Sequence, residues 1–161
     1  MDNKVLVTLK GNPIITVGDL IVEREKFLSE NPRLRQALAY MNAQEIDRNI
    51  LEGLISQKLV AQYIADHNIT QADFFREGQA ITLSDDEVKS FYEEHKDAIP
   101  ALHVPQDQIT GPQDSKYVPY DDIKDRLKDE LEENKRIEFF AKKIDVLKKE
   151  YDVVVDETHF R

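Results

Sequence analysis

A twenty-residue stretch rich in proline, PALHVPQDQITGPQDSKYVP at residues 100–119, separates two charged, helix-forming parts of the chain. It holds four of the six prolines of the protein. Proline removes a backbone donor and disfavours a helical conformation in the residue before it. Loops of this length are uncommon inside compact domains and usually serve as functional sites or linkers. We therefore expect residues 100–119 to form an extended, mobile linker that is largely without secondary structure.

The composition around this linker indicates a mainly α fold. Hydrophobic residues make up 40% of the chain and charged residues 34%, with only five glycines and no tryptophan. These proportions are typical of a helix-rich domain. We predict that residues 1–99 form the first part of one helical domain, and that residues 120–161 complete it with a long helix and a final strand.

Short apolar, β-branched segments at both ends predict a small β-sheet. The segment KVLVTLKGNPIITV reads as two strands around a turn at Gly11-Asn12-Pro13, and the segment YDVVV lies near the end of the chain. An isolated hairpin is marginally stable in water. We therefore predict that residues 5–9 pair with residues 152–156, which joins the N- and C-terminal strands in one sheet.

Capping residues and apolar spacing predict the helices. Three polar residues are each followed three positions later by a carboxylate, as at helix starts: Thr16 with Asp19, Thr70 with Asp73, and Ser84 with Glu87. Residues 43–66 give the strongest pattern of a buried helix, through two apolar rows: Ile46, Ile50 and Leu54, and Leu51, Ile55 and Leu59. Residues 121–150 predict a long helix whose acidic first half and basic second half suit the helix dipole.

Charge and hydropathy exclude several classes of partner. A net charge of −10 and an isoelectric point near 4.9 oppose nucleic-acid binding, which needs a basic surface. The sequence has no run of apolar residues long enough for insertion into a membrane. The start of the chain lacks the pattern of a secretion signal, so we expect either a cytoplasmic protein or one whose leader was removed.

Catalytic, metal and cofactor sites are not predicted. The chain has no cysteine, which excludes disulfides and thiolate chemistry. Four histidines, His67, His95, His103 and His159, are scattered without the i,i+4 spacing of a metalloprotease helix. The acidic segment SDDE at residues 84–87 is interpreted as a helix start, where free N–H groups stabilise carboxylates. We expect no metal, no cofactor and no catalytic residue.

Aromatic and apolar residues supply the candidates for substrate binding. Adjacent aromatic residues on a helix point about 100° apart, so both cannot easily face one core. An exposed apolar lining suits a protein that binds unfolded chains, whereas the alternative is that these side chains fill the core. The candidate residues are Phe27, Leu34, Leu38, Tyr40, Met41, Phe74, Phe75, Phe91 and Tyr92.

Several segments, in order, resemble the SurA/PrsA-like extracytoplasmic chaperones. VLVTLKGNPIITVGDL resembles the opening strand, turn and first helix of that family, and LEGLISQKLVAQYIADHNIT resembles its central helix. LSDDEVKSFYEEHKD is similar to the helix that leads into a parvulin-type peptidyl-prolyl isomerase domain there. The segment from Tyr117 to Val155 is similar to the part that follows that domain. The resemblance covers most of the chain, through patterns of helices and caps.

Where the family carries the isomerase, this chain has only residues 100–119, too few for a domain of about 50 residues or more. The resemblance therefore implies a chaperone without isomerase activity. It would hold extended apolar segments of secreted or outer-membrane proteins, without ATP, in the periplasm or another extracytoplasmic compartment. The alternative function is a helical assembly protein that binds one partner through its long C-terminal helix. The linker allows a monomer or a homodimer formed by domain swapping.

Overall fold

The computed structural model describes residues 3–40, 42–99, 102–105 and 116–161, and the chain divides into two units. Unit 1 consists of Met1–Phe74 and Ala141–Arg161, and unit 2 consists of Phe75–Phe140. The elements run in the order β1 (Val5–Leu9), β2 (Asn12–Thr16), α1 (Val17–Glu30), α2 (Pro32–Ala37), α3 (Ala43–His67), α4 (Gln71–Gln79), α5 (Asp85–His95), α6 (Tyr120–Glu150) and β3 (Val153–Val155). The predicted mainly α fold with one small sheet is confirmed.

The sheet joins the two ends of the chain. Its strand order is β2-β1-β3, and both pairs are antiparallel. In the β1–β3 pair, Val7 lies opposite Val155 and Leu9 lies opposite Val153. This register confirms the predicted pairing of residues 5–9 with residues 152–156.

The hairpin turn between β1 and β2 lies slightly earlier than predicted. Lys10 and Gly11 form it, with φ angles of 49° and 78°. Two consecutive positive φ angles are what a two-residue hairpin needs to match the twist of its strands. Asn12 and Pro13 already belong to β2, which is an edge strand of the sheet. A proline has no backbone N–H to donate, so it is tolerated at an edge but not in an interior strand.

The predicted helix starts are confirmed by reciprocal hydrogen bonds. The Thr16 hydroxyl accepts the Asp19 N–H at 3.2 Å, and the Asp19 carboxylate accepts the Thr16 N–H at 2.8 Å. Ser84 with Glu87, and Thr70 with Asp73, form the same pairs of bonds. These bonds satisfy N–H groups that the first turn of a helix leaves free. The hydrogen bonds between Asp19 and the backbone and side chain of Thr16 also lower the pKa of Asp19 below its ordinary value.

The core of unit 1 lies between the sheet and helices α1 and α3. Its buried side chains come from both ends of the chain: Leu6, Val7, Leu9, Ile15, Val17, Leu20, Leu28, Ile46, Leu51, Ile55, Leu59, Phe74, Leu147, Tyr151 and Phe160. Polar contacts join the C-terminal segment to α3, since the Lys148 ammonium donates to the Glu52 carboxylate at 2.5 Å. The stability of unit 1 therefore depends on the last residues of the chain.

Tyr151 gives unit 1 a dependence on alkaline pH. Burial, together with the hydrogen bond that its hydroxyl donates to Asp66 at 2.8 Å, raises the pKa of Tyr151 to about 12. A raised pKa in the folded protein contributes stability that is complete below the ordinary value near 10 and is lost as the pH rises towards 12. We therefore expect the unfolding free energy of the wild type to fall more steeply than that of Tyr151→Phe over this range.

Urea unfolding at several alkaline pH values measures this difference, and Tyr40→Phe is the matched control because Tyr40 is 93% exposed. The Tyr40→Phe variant should follow the wild type. Parallel profiles for the wild type and Tyr151→Phe would contradict the expectation.

The core of unit 2 lies between α5 and the first half of α6. Leu83, Val88, Tyr92, Leu102 and Leu127 form its buried cluster. The Tyr92 hydroxyl reaches the edge of this cluster and donates to the carbonyl of Val118 at 2.6 Å. These contacts hold residues from both sides of the proline-rich segment against one core.

A buried carboxylate, that of Glu132, contacts the same core at Leu83. Glu132 is 8% exposed and accepts the backbone N–H of Leu83 at 3.0 Å and a guanidinium N–H of Arg136 at 3.4 Å. Since a buried charge is costly without partners, these two bonds explain how an acidic side chain is accommodated there.

The described ends of residues 100–119 pair with each other. Val104 donates to the carbonyl of Lys116 at 2.8 Å, Val118 donates to that of Leu102 at 2.8 Å, and His103 forms a bridge with Tyr117. The prediction of a segment largely without secondary structure therefore has an exception at these described ends, which form one isolated β-bridge. The prolines at 100, 105, 112 and 119 leave three proline-free runs between them, and the described residues that pair lie in the first and the last of these runs. The expected mobility concerns mostly residues 100, 101 and 106–115, which lie outside the described residues.

Candidate functional site

An apolar groove in unit 1 is the strongest candidate for a binding site. Helices α1, α2 and α3 enclose a cavity of about 410 Å³. Most of its lining is apolar: Phe27, Leu34, Ile46, Ile50, Gly53 and Leu54. Glu23, Asn49 and Gln57 add polar groups at its walls. An apolar concavity with a few polar groups is the usual form of a ligand site.

The spacing of apolar residues on α3 explains why a groove forms there. The helix carries two apolar rows, and Leu51, Ile55 and Leu59 of one row are buried in the core of unit 1. Ile50 and Leu54 belong to the other row, are only half-buried, and line the groove. The apolar stripe of α3 is therefore wider than the part that the core covers, and the uncovered residues Ile50 and Leu54 line the groove.

Gly53 keeps the floor of the groove low. It lies on α3 between the groove-lining residues Ile50 and Leu54, and a Cβ added there would have no heavy atom within 4 Å. Glycine inside a helix costs about 0.5–1 kcal/mol relative to alanine. No neighbouring atom lies so close that only a glycine would fit at this position. The space above Gly53 is therefore open, and it forms part of the groove.

An ion pair joins the helices on two sides of the groove. Arg24 of α1 donates to both carboxylate oxygens of Asp47 on α3, at 3.0 and 3.3 Å. The Asp47 residue is 7% exposed, so the pair is largely removed from water. Each partner is adjacent in sequence to a lining residue, Glu23 or Ile46. Both bonds come from one guanidinium nitrogen, Nη1, and this charge-assisted contact links α1 to α3.

The structure brings two of the predicted binding residues together in this groove. Phe27 on α1 and Leu34 on α2 are both half-buried and both line it. Leu38 is half-buried and Tyr40 is 93% exposed, but neither lines the groove. Met41 lies outside the described residues.

The other four predicted residues belong to different environments. Phe74 is 1% exposed in unit 1 and Tyr92 is 6% exposed in unit 2. For these two, the structure corrects the prediction of an exposed binding role, because their rings are core residues. Phe75 is half-buried and packs edge-on against Phe140, with ring centroids 5.0 Å apart. Phe91 is half-buried in unit 2 and stacks on His95 at 4.2 Å.

Sequence reasoning missed Ile46, Ile50, Gly53 and Leu54 as site residues. Ile46, Ile50 and Leu54 form one of the two apolar rows that predict a buried helix, whereas Gly53 belongs to neither row. A helix with two apolar rows gives a sequence signal for a wide stripe. The sequence pattern does not show which row the neighbouring helices cover.

Two carboxylates with a lowered pKa, Asp66 and Asp156, lie away from the groove. The hydrogen bond from Tyr151, together with one from Gln62, lowers the pKa of Asp66, and hydrogen bonds from Thr158 lower that of Asp156. Among the residues that the structure describes, no three histidine, aspartate or glutamate side chains are grouped so that they could hold a metal ion. Within the same residues, no helix is both long and apolar enough to cross a membrane. The residues that line the groove offer apolar contact and hydrogen bonding.

Comparison with known proteins gives one finding. The model of an uncharacterised family matches residues 76–161, slightly more than half of the chain. No curated protein and no solved structure matches the chain significantly. The matched residues include all of α5 and α6 and the final strand, whereas the groove residues precede them in the sequence.

Proposed function

The chain belongs to the uncharacterised family whose model matches residues 76–161, and we propose that it acts as an ATP-independent chaperone. In this proposal it holds extended apolar segments of unfolded polypeptides and carries out no reaction on them. The groove of about 410 Å³ between α1, α2 and α3 is the observation that supports the proposal. The groove lies outside the matched region, so the proposal depends on the groove and not on the family.

The size of the groove suits reversible binding of a few side chains. Burying one leucine or phenylalanine side chain contributes about 1.5–3 kcal/mol. Two such anchors give about 3–6 kcal/mol, which corresponds to dissociation constants from about 6 mM to about 40 μM. The cost of ordering the bound segment weakens the binding further. A client bound this weakly leaves without an input of energy, as a chaperone without a nucleotide site requires.

The polar residues of the groove suit clients of different sequence. Asn49 and Gln57 carry side-chain amides, each of which can donate and accept hydrogen bonds. Every polypeptide backbone offers the complementary groups, whereas the apolar floor accepts any side chain of suitable size. The same site can therefore bind many extended segments that share only apolar character.

Two parts of the proposal come from the sequence resemblance alone. The resemblance to SurA/PrsA-like chaperones supports an extracytoplasmic location and clients that are secreted or outer-membrane proteins. The short segment 100–119 at the position of a parvulin domain supports the absence of isomerase activity.

The alternative, an assembly protein that binds one partner through α6, has weaker support. Among the residues that the structure describes, α6 has two exposed large apolar side chains: Ile137, which is 57% exposed, and Val146, which is 54% exposed. They are nine residues apart, and with about 3.6 residues per turn they lie on opposite sides of the helix. They therefore do not form one continuous apolar stripe for a partner.

Suppression of client aggregation without nucleotide tests the proposal. The wild type should delay the aggregation of several unrelated unfolded proteins. Leu34→Asp places a charge in the groove, and loss of one apolar contact worth about 1.5–3 kcal/mol should raise the concentration needed for protection about tenfold or more. Light scattering during dilution of the client from denaturant measures this concentration.

Val146→Asp is the matched control, because it introduces the same charge at an exposed apolar position outside the groove. It should protect clients as well as the wild type. Equal protection by Leu34→Asp and the wild type would show that the groove is not the binding site. Protection of a single protein in a fixed stoichiometry would favour the assembly alternative.

A further inference from the structure

A second groove, entirely within unit 2, has an apolar floor. Helices α5 and α6 enclose a cavity of about 640 Å³. Leu83, Phe91 and Leu131 form its apolar part, and all three belong to or pack against the core cluster of unit 2. The apolar floor is thus a continuation of the core that α5 and α6 do not cover.

The rim of this second groove is acidic. Asp86 and Glu94 of α5 and Glu138 of α6 line it, and all three are exposed. Within the part of the chain that the structure describes, none of these three carboxylates forms an ion pair. Glu87 also lines the groove, but its carboxylate accepts the Ser84 N–H at 2.8 Å and so caps α5. Lys135 is the single basic residue among the described lining residues.

We infer that this second groove binds basic, apolar polypeptide segments, in which large apolar side chains alternate with lysine or arginine. An extended chain places alternate side chains on opposite sides, so apolar groups can contact the floor while basic groups reach the rim. The unpaired carboxylates attract cations, and a water-poor floor beside them strengthens that attraction.

Charge selects this occupant over others. An acidic peptide or a nucleic acid would bring negative charge to a rim that is already negative. A second copy of this chain, with a net charge of −10, would on average be repelled by the same rim. A basic segment is the class of polypeptide that both the floor and the rim favour.

This inference is independent of the proposed function of unit 1. The second groove shares no lining residue with the groove between α1, α2 and α3. It also lies within the part of the chain that the family model matches, since its residues run from Leu83 to Glu138.

Peptide binding to the full chain tests the inference. Fluorescence anisotropy is measured with a short labelled peptide that alternates leucine with lysine, and with peptides that alternate leucine with glutamate or serine with lysine. We expect the leucine–lysine peptide to bind about tenfold or more tightly than either of the others, because only it matches both floor and rim. Its affinity should fall as salt is added, since exposed charges are screened.

A triple variant that neutralises the rim, Asp86→Asn/Glu94→Gln/Glu138→Gln, should bind the leucine–lysine peptide about tenfold more weakly, as expected for the loss of three partly screened charge contacts. The opposite change is also informative. Lys135→Glu removes the one basic lining residue and should tighten binding several-fold.

The matched control for the triple variant is Asp122→Asn/Asp125→Asn/Glu150→Gln, which removes the same charge from exposed positions outside the second groove. Asp122 lies in the first turn of α6 and Glu150 in its last, as Asp86 and Glu94 do in α5. The control should bind the peptide within about twofold of the wild type, since its charges lie away from the rim.

Three results would overturn the inference. Equal weakening by the control would show that the net charge of the chain, and not the rim, attracts the peptide. Equal affinity for the serine–lysine peptide would show that the floor takes no part. Unchanged binding by the rim variant with loss of binding in Gly53→Phe would place the peptide in the unit 1 groove. That last result would leave the proposed chaperone function intact.

Discussion

Removal of residues 151–161 is expected to lower the unfolding free energy of unit 1 by about 4–6 kcal/mol. The deletion removes β3 and two buried aromatic residues, Tyr151 and Phe160, each of which contributes about 1.5–3 kcal/mol through burial. It also removes two backbone hydrogen bonds to the N-terminal hairpin, from Lys10 to Tyr151 at 2.8 Å and from Asp156 to Leu6 at 2.7 Å. A loss of this size is a large part of the stability of an ordinary domain, about 5–15 kcal/mol.

Guanidinium unfolding followed by circular dichroism measures the effect of the deletion. Val154→Ser is a mild control, because Val154 lies in β3 but is 55% exposed. It should cost less than about 1 kcal/mol. An unchanged guanidinium midpoint after the deletion would contradict the pairing of the two chain ends.

Phe74→Ala is expected to destabilise the protein by about 3–5 kcal/mol, the usual cost of removing a buried phenylalanine side chain. Phe74 is 1% exposed, packs edge-on against Tyr63 with ring centroids 5.5 Å apart, and lies 4.2 Å below the ammonium group of Lys143. Phe27→Ala is the contrasting variant, since Phe27 is half-buried at the unit 1 groove. It should lose less stability and more client binding.

The midpoint of urea unfolding and the concentration needed to protect a client separate these two roles. Binding is measured at a temperature and a urea concentration at which both variants are mostly folded. If Phe74→Ala unfolded at the wild-type midpoint but failed to bind clients, the assignment of Phe74 to the core would be wrong. Its predicted role in binding would then be correct.

The parts of the fold that depend on local chemistry could be predicted from the sequence. Thr16 with Asp19 and Ser84 with Glu87 mark helix starts, because their hydrogen bonds join residues only three positions apart. The pairing of the two chain ends is also predictable, since an isolated N-terminal hairpin is marginally stable in water and the segment YDVVV has no neighbouring strand in the sequence. In each case the sequence contains both members of the interaction.

The candidate site could be predicted only in part, because it depends on which surface a neighbouring element covers. Leu51 and Ile50 are both apolar, and adjacent in the sequence, yet one is buried and the other lines the groove. Phe27 and Phe74 differ in the same way. The pattern on one helix does not contain the position of the next helix, so a core row and a groove row look alike.

The proline-rich segment shows a different limit of sequence reasoning. Its prolines predict that helices and interior strands are excluded, but they do not prevent pairing in the short runs between them. Leu102 is 5% exposed, so one apolar residue of the segment belongs to the core of unit 2. Together with the hydrogen bond from Tyr92 to Val118, this buried side chain attaches the described ends of the segment to the core of unit 2.

Gly53 offers the most direct test of client binding at the unit 1 groove. Gly53→Ala should raise stability by about 0.5–1 kcal/mol through helix propensity and keep wild-type binding, because a methyl group reaches no neighbour within 4 Å. Gly53→Phe should keep the fold but fill the groove. The measurement is isothermal titration of a permanently unfolded client segment into the wild type and both variants. We expect wild-type affinity for Gly53→Ala and an affinity about tenfold or more weaker for Gly53→Phe. Wild-type affinity in a folded Gly53→Phe variant would contradict binding at this groove.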